Sequence, residues 1–322
     1  MNGSPSPFAM PIEIANPPKT IAVIDIGTNT ILLLVANIFP DGSITPLVYE
    51  QRIPRLGRGV DARRRLQQDS MMRVVSVLRE YRGIIVPFCP IRTVIIGTSA
   101  VRDAENREDF ADLIHSETGF TLEILSGNDE AVWTYRGAIS GIGGARAATV
   151  IDIGGGSTEI TTGTAGVIAS SCSLDIGSVR LSERFFAHDP PEVEELERVN
   201  EAIDAALVAI DPLPGLHSRL VAVAGTATTL ALLAQGKMTF SLTDVSGVVI
   251  TAHQIDRLVA TLSCTPVAGI LEFGRFMEGR ADIITAGACI LKRIMDRFGY
   301  EAVTVSERGV RYGIALREWE RG

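Results

Sequence analysis

The sequence lacks several features that would place it in other classes of protein. No apolar run is long enough to span a bilayer, and residues 1–19 lack the basic start and apolar run of a signal peptide. The four cysteines show neither CxxC nor CxxH spacing, so no zinc site or disulfide framework is indicated. The formal net charge of −8 argues against a nucleic-acid binder. We therefore expect a cytoplasmic protein with a disordered leader at 1–19, acting on neither membranes nor nucleic acids.

What the sequence does contain is an alternation of strand and helix signals, which predicts an α/β protein. Its 322 residues favour two domains. Helices are predicted at 193–210 and 282–298, with further helix starts at Ser126–Asp129 and at the capping box Thr251–Gln254. Strands are predicted at 21–26, 31–38, 44–51, 93–96, 122–125, 149–153, 159–162, 167–174, 220–223 and 303–305.

The chain carries a weak internal repeat. AVIDIGTNTILLLVANI (22–38) resembles TVIDIGGGSTEITTG (149–163), and each reads as a strand, Asp-Ile-Gly, a turn of small residues and a second strand. The two aspartates, Asp25 and Asp152, lie about one domain apart. We predict two related halves, 20–145 and 146–322, joined near the glycine cluster at 141–146, with the last helix able to return to the first half.

Both repeated turns have the composition of a phosphate cradle. Glycine lets the backbone approach a ligand closely, successive N–H groups hold anions, and hydroxyls add donors. A glycine-rich turn alone is more often structural, but the duplication, with an acid before each turn, favours binding. A strand-to-helix turn at AGTATTLALL (224–233) is a third candidate. The predicted phosphate-binding residues are Gly27, Thr28, Asn29, Thr30, Gly155, Gly156, Ser157, Thr158, Gly225 and Thr226.

Carboxylates around these turns suggest a metal ion. Asp152 and Glu159, with Asp25, are the predicted ligands of Mg²⁺, with Mn²⁺ as the alternative, because Mg²⁺ prefers carboxylate oxygens and bridges to phosphates. The simpler interpretation is a turn-capping aspartate and an outward-facing strand carboxylate. LSGNDEA (125–131) adds two acids, one of which could be a general base, unless both only favour a helix start.

Two arginine features complete the pattern. Arg102, after a predicted strand, could grip phosphate oxygens, or could form a surface ion pair with Asp103 or Glu105. The window RIPRLGRGVDARRR (52–65) is the most basic in the chain. It could guide a polyanion, or be a solvated loop.

Taken together and in order, these segments resemble the exopolyphosphatase / guanosine pentaphosphate phosphatase (Ppx/GppA) family. The resemblance covers essentially everything after the leader. It rests on DIGTNT (25–30), RLGRGVD (55–61), GTSAVRDAEN (97–106), SGNDEA (126–131), DIGGGSTE (152–159), AGTATTLA (224–231), GRADIITAG (279–287) and VSERGVRYG (305–313).

The resemblance implies an actin-like fold, in which two ribonuclease H-type domains enclose a cleft. It also implies that Glu130 is the catalytic glutamate, that Asp152 and Glu159 are the acids linked to magnesium, and that Arg102 contacts phosphate. Two residues depart from the family pattern: Asp129 stands where glutamate is usual, and Ala224 where many members have glycine. Longer members append a helical domain that is missing here, so we expect a preference for short chains.

The resulting expectation is an enzyme that hydrolyses the terminal phosphoanhydride of inorganic polyphosphate. Guanosine pentaphosphate (pppGpp) as the substrate stays open, because no motif separates the two activities. A non-catalytic polyphosphate- or alarmone-binding module is a further alternative, disfavoured by the presence of Glu130. A kinase would need a second acceptor pocket, for which no segment is apparent. A homodimer is also left open, since the family often dimerises.

Overall fold

The computed structural model describes residues 17–142, 147–164, 166–208, 210 and 219–322. Most of the predicted leader (1–16) and most of the predicted join (143–146) lie outside these residues. The described chain forms two twisted β-sheets with helices packed on their faces. None of the helices within these ranges is long and apolar enough to cross a bilayer.

The first sheet has five strands in the order β3-β2-β1-β4-β5. Its first three strands form an antiparallel meander, and the other two are parallel to β1. The strands are β1 (Lys19–Ile26), β2 (Ile31–Ile38), β3 (Ile44–Arg52), β4 (Arg92–Gly97) and β5 (Leu122–Ile124).

The second sheet has six strands in the order β10-β11-β9-β6-β7-β8. It repeats the first, since an antiparallel meander is again followed by two parallel strands, with one added antiparallel strand at the edge. This repetition confirms the predicted α/β fold of two related halves. The strands are β6 (Ala147–Ile153), β7 (Thr158–Thr164), β8 (Val167–Leu174), β9 (Arg219–Val223), β10 (Val249–Thr251) and β11 (Ala302–Val305).

Helices follow the parallel strands and cover the sheets. Several begin as their sequence predicts: the Ser126 side chain accepts a hydrogen bond from the Asp129 N–H, and Thr251 and Gln254 form the capping box. The helices are α1 (Val60–Arg63), α2 (Gln68–Ile85), α3 (Ser99–Arg102), α4 (Arg107–Thr118), α5 (Gly127–Gly141), α6 (Ser178–Phe185), α7 (Val193–Val208), α8 (Ala224–Ala234), α9 (Leu242–Val245), α10 (Ala252–Ser263), α11 (Val267–Leu271), α12 (Ile284–Phe298) and α13 (Val310–Glu320).

The last helix, α13, packs on the first sheet although it follows a strand of the second. Tyr312 and Ile314 join the apolar cluster that contains Ile21 and Val23 of β1. Against α5 the helix comes into backbone contact, because a Cβ on Gly313 would collide with the carbonyl of Trp133. This stretch therefore carries the chain back from the second half to the first.

Predicted and observed strands agree closely, with one omission, whereas several helices, among them α2 and α4, were not predicted. The bounds of β2 and β8 are those predicted, and the other predicted strands are found with ends shifted by one or two residues. The strand β10 was not predicted, because its three residues carry too short a pattern. The helix predicted from residue 282 begins at Ile284, two residues later.

Candidate active site

The two repeated turns have the same length and the same closing hydrogen bond. The Gly27 N–H donates to Thr30 O, and the Gly154 N–H donates to Ser157 O, each over 3.0 Å. In register, Asp25 lies opposite Leu32 across the first hairpin, as Asp152 lies opposite Glu159 across the second. The two turns are thus matched in backbone geometry.

The turns also pack against each other. A Cβ on Gly155 would lie 2.9 Å from Thr28 Cβ, and a Cβ on Gly156 would collide with the Ser99 side chain. The glycines of the second turn are therefore required by contact between the halves, a role that the sequence pattern did not reveal.

The carbonyl groups of the second turn are held by α6. The N–H groups of Ser178 and Val179 donate to Gly154 O and Gly155 O, both over 2.9 Å, and Arg180 Nε donates to Gly156 O over 2.6 Å. Because a trans peptide places N–H opposite C=O, the following N–H groups point away from α6. These are the amides of Gly155, Gly156 and Ser157, residues that line the central cleft.

The first turn is held in the same way by the RLG segment. The Gly57 N–H donates to Thr28 O over 2.7 Å, and the Arg55 N–H donates to Asn29 O over 3.1 Å. A Cβ on Gly57 would collide with Thr28, so only glycine allows this approach. The amides of Asn29 and Thr30 consequently face the opposite side, and both residues line the cleft. Two rows of N–H groups thus face the cleft, an arrangement typical of anion-binding surfaces.

Four buried carboxylates stand beside these turns. Asp152 and Glu159 occupy facing positions on adjacent strands, so their side chains lie on the same face of the sheet. Glu159 is 2 % exposed and accepts a hydrogen bond from Ser173 Oγ over 2.6 Å; the alternative of an outward-facing strand carboxylate is wrong. Asp25 and Glu130 are buried in the same way.

Burial raises the pKa values of all four. Desolvation, with Glu130 and Asp25 nearby, raises the pKa of Asp152 to about 8, and desolvation raises that of Asp25 to about 7 against the attraction of Arg311. The pKa of Glu159 is raised well above its ordinary value, first by desolvation and then by Glu130 and Asp152. Such a group of desolvated acids favours the binding of a cation.

Arg102 forms an ion pair with Glu130. Its Nη1 donates to Glu130 Oε2 over 2.7 Å and to Leu125 O over 3.1 Å, so the alternative partners Asp103 and Glu105 are wrong. Desolvation raises the pKa of Glu130, and Arg102 opposes the rise. The guanidinium therefore favours the ionised, basic form of a carboxylate that faces the cleft.

The residues present fit a magnesium ion held partly by water. Asp25 Oδ1 is buried and has no hydrogen-bond partner among the described residues. Within the described ranges, no three His, Cys, Asp or Glu side chains form a ready-made metal cage. Mg²⁺ needs no such cage, because it is commonly bound by one or two carboxylates, several waters and substrate phosphates.

Two arginines in the cleft, the half-buried Arg280 and the buried Arg311, were not singled out from the sequence. Arg280 donates to Gln51 Oε1 over 2.9 Å, and no carboxylate of the described residues forms an ion pair with it. Arg311 is 3 % exposed and stacks on the Tyr49 ring at 4.5 Å. A buried guanidinium without a carboxylate calls for an anionic ligand. Both residues lie in segments that carry the family resemblance, which was the available signal.

The cleft, about 1040 Å³ with its open mouth, brings most of the predicted site residues together. Three of them do not reach its wall: Arg102, Thr158 and Glu159. The Thr158 hydroxyl donates to Ile176 O and the Thr226 hydroxyl to Ile153 O. The predicted residues that line the cleft are Asp25, Gly27, Thr28, Asn29, Thr30, Glu130, Asp152, Gly155, Gly156, Ser157, Gly225 and Thr226.

Among the described residues, only some arginines of the basic window at 52–65 are free of intramolecular ion pairs. Arg52 pairs with Glu50 and Glu80, and Arg55 forms two hydrogen bonds with Asp282, of 2.7 and 2.8 Å. The side chains of Arg58 and Arg63 are exposed to solvent. Ion pairs therefore neutralise part of the window's positive charge. Its RLG segment supports the first turn.

Comparison with known proteins identifies the family of this chain and supports its fold. The model of the Ppx/GppA phosphatase family matches residues 34–321, and the chain therefore belongs to this family. It is 36% identical to Exopolyphosphatase 2 of Mycobacterium tuberculosis, with 92% of this chain and 97% of that protein covered.

Solved structures of similar proteins share the fold. The Ppx/GppA family member from Aquifex aeolicus has a TM-score of 0.80 at 32% identity, covering 95% of this chain and 99% of that one. An exopolyphosphatase from Cytophaga hutchinsonii has a TM-score of 0.86 at 27% identity, covering 94% and 98%. The two domains around a cleft are thus the actin-like arrangement that the resemblance implied.

Proposed function

We propose that this protein is an exopolyphosphatase, which hydrolyses the terminal phosphoanhydride bond of inorganic polyphosphate and releases orthophosphate. The observation that carries the proposal is the convergence on one cleft of two amide-lined turns and Glu130, with which Arg102 pairs from behind the cleft wall. The amides and the two unpaired arginines, Arg280 and Arg311, would bind the phosphate chain end. Relatives named exopolyphosphatase support the same substrate.

Glu130 would orient a water molecule and accept its proton. The water oxygen attacks the terminal phosphorus, the bridging P–O bond breaks, and the shortened chain leaves as an anion. Arg102 would keep Glu130 ionised and correctly placed. Most of the rate enhancement then comes from positioning and from fixed charge, which this set of residues can supply.

Asp152, Asp25 and Glu159 would hold the magnesium ion, directly or through water. The ion, when bound, neutralises charge on phosphate oxygens. Mn²⁺ is the alternative metal, and the carboxylate set does not distinguish them.

Phosphate release from short and long polyphosphate, with Mg²⁺, tests the proposal. We expect Glu130→Gln to lower kcat by about 10²- to 10⁴-fold, the usual contribution of a general base. Asp129→Asn is the matched control, because Asp129 lies in the same helical turn but is exposed. Equal activity of wild type and Glu130→Gln would contradict the assigned base. No release by wild type from any substrate would favour a binding module.

Removal of the terminal phosphate of pppGpp is a second candidate function. A further cavity adjoins the cleft at Arg280 and is lined by Tyr49, Phe240 and Phe276. Aromatic faces of this kind stack on nucleobases. If this function dominates, pppGpp should outcompete polyphosphate in a competition assay. Phe276→Ala should then weaken the binding of pppGpp and leave the binding of polyphosphate unchanged.

Four expectations remain proposals: a preference for short chains, a cytoplasmic location, the absence of nucleic acid among the ligands, and a homodimer. Chain-length series, fractionation, nucleic-acid binding assays and light scattering would test them in turn.

A further inference from the structure

Arg180 occupies the joint between the second turn and the first half of the molecule. It is the third residue of α6 and is 7 % exposed. Its Nε donates to Gly156 O over 2.6 Å, and its Nη2 donates to Asp103 Oδ2 over 2.6 Å. Its Nη1 donates to Asp61 Oδ1 over 2.5 Å. One guanidinium thus contacts three separate segments.

Two of these contacts hold groups that face the substrate site. Fixing the Gly156 carbonyl fixes the whole Gly156–Ser157 peptide plane, and with it the direction of the Ser157 N–H. Asp103 directly follows Arg102, and its own N–H donates to Ser99 O over 2.9 Å. The backbone that carries Arg102, the partner of Glu130, is therefore tied to the backbone of the second turn.

The chemistry of this joint requires arginine. The buried guanidinium lies between two carboxylates, whose side chains are 18 % and 20 % exposed, so its charge is compensated. Its planar fork of five donors can reach a carbonyl and two acids in fixed directions, whereas a lysine ammonium on a flexible stem cannot.

We propose that Arg180 is a positioning residue for hydrolysis, which locks the Ser157 amide and the Arg102–Glu130 pair into one geometry across the two halves. This inference rests on the proposed function. Arg180 does not touch substrate in this arrangement; it acts through Gly156 and Asp103.

The test compares Arg180→Ala and Arg180→Lys with Arg184→Ala. Arg184 lies on the same helix and pairs with the same Asp61, but contacts neither Gly156 nor Asp103. We expect kcat for polyphosphate to fall about 100-fold in Arg180→Ala, since small misplacements of reacting groups cost this much, and about tenfold in Arg180→Lys. KM should rise less than kcat falls, and Arg184→Ala should keep wild-type kcat and KM.

A merely structural role would give a different result. Activity per folded molecule would then be normal in both Arg180 variants, and only the melting temperature would fall; this outcome would overturn the inference. If Arg180→Ala does not fold, Arg180→Lys and Asp103→Asn test the inference instead. Arg180→Lys removes the guanidinium and Asp103→Asn removes the charge of its partner, so both should lower kcat.

A binding measurement separates this inference from the proposed function. Tripolyphosphate binding is measured by calorimetry in the Glu130→Gln background, with Arg180→Lys or Arg184→Ala added. If wild type binds but does not hydrolyse polyphosphate, the proposed function fails, and weaker binding with Arg180→Lys alone still supports the joint. If wild type hydrolyses polyphosphate, the kcat comparison decides. If it does not, equal binding by both double variants overturns the inference, and no binding by the Glu130→Gln parent overturns the inference and the proposed function together.

Discussion

The two turns at the cleft share one geometry and differ in one chemically decisive position. Both have the same length, the same closing hydrogen bond and an aspartate at the end of the preceding strand. Opposite that aspartate, the first hairpin carries Leu32 and the second carries Glu159. Under the proposed function, the duplicated backbone would bind anions on both sides, while the second half would add a further carboxylate for the cation.

The turns also differ in how tightly they are enclosed. A Cβ on Gly27 would meet only the Thr30 carbonyl, at 3.1 Å, whereas a Cβ on Gly155 or Gly156 would press on the other half of the molecule. The first turn thus meets the second half through side chains, since Thr28 packs on Gly155 and Asn29 Nδ2 donates to Gly279 O over 3.1 Å. The second turn meets the first half with its backbone, which leaves no space for a Cβ.

Copying the first hairpin into the second is the most disruptive change. We expect Glu159→Leu to keep the fold, because leucine occupies the matching position of the first hairpin, but to lower Mg²⁺-dependent phosphate release about 100-fold. Glu159→Gln, which keeps the shape and loses the charge, should lose activity similarly. Near-wild-type turnover in either variant would show that the Glu159 carboxylate, the difference between the hairpins, is not needed for hydrolysis.

Adding a methyl group to each turn tests the difference in enclosure. Gly156→Ala should lower kcat by about tenfold or more, because the new Cβ displaces the second turn from Ser99, whereas Gly27→Ala should have a much smaller effect. Steady-state kinetics of both variants measures this. The double variant Gly156→Ala with Ser99→Gly removes the obstructing side chain and should recover activity; if it does not, the collision is not the cause.

The aspartates of the two hairpins should make the metal-free protein less stable as pH rises. Their folded pKa values, about 7 for Asp25 and about 8 for Asp152, lie above the ordinary value of 3.8. The folded state therefore binds more protons than the unfolded state between about pH 4 and 8, so the free energy of unfolding falls as pH rises through that window.

Urea denaturation in EDTA between pH 5 and 8.5 measures this slope. Asp152→Asn should flatten it more than Asp25→Asn, because the pKa of Asp152 is displaced further, and added Mg²⁺ should reduce the loss at high pH. If the free energy of unfolding in EDTA increases with pH, and does so equally in both variants, the raised pKa values of the two aspartates are contradicted.

The smallest effect is expected at the third turn, where α8 begins. Ala224 has φ of +67°, a left-handed conformation that costs an L-residue about 1–2 kcal/mol. Ala224→Gly should relieve this strain, but the more flexible unfolded chain offsets about 0.4–1 kcal/mol. We expect a net gain of about 0.5 kcal/mol in the free energy of unfolding by urea. A loss of stability would mean that contacts of the Ala224 methyl group stabilise the folded state by more than the strain costs.

The sequence was informative wherever the determining interactions are local. Both hairpins were predictable because apolar strands precede a short glycine turn. The start of α5 at Ser126 was predictable because its cap lies three residues from its partner. Glu130 and the carboxylates at Asp152 and Glu159 were identified as a site from pattern and resemblance. The structure brings Glu130 and Asp152 to one cleft and buries Glu159 opposite Asp152 on the adjacent strand.

What could not be predicted depends on residues far apart in the chain. Arg180 is 77 residues from its partner Asp103, and the need for glycine at 155 and 156 comes from side chains of the other half. Thr158 looked like a phosphate donor, yet its hydroxyl is used by Ile176, a partner that only the folded meander provides. No local pattern encodes such contacts, because they join residues that only the folded chain brings together.

The return of α13 to the first sheet also bears on synthesis. The apolar face of β1 and β2, with Ile21 and Leu34, is completed by Tyr312 and Ile314, which leave the ribosome only after most of the described chain has been made. At about 5–20 residues per second, that face waits for many seconds without its final cover. The half that is translated first is therefore finished last, and a nascent chain has reason to need a chaperone at this surface.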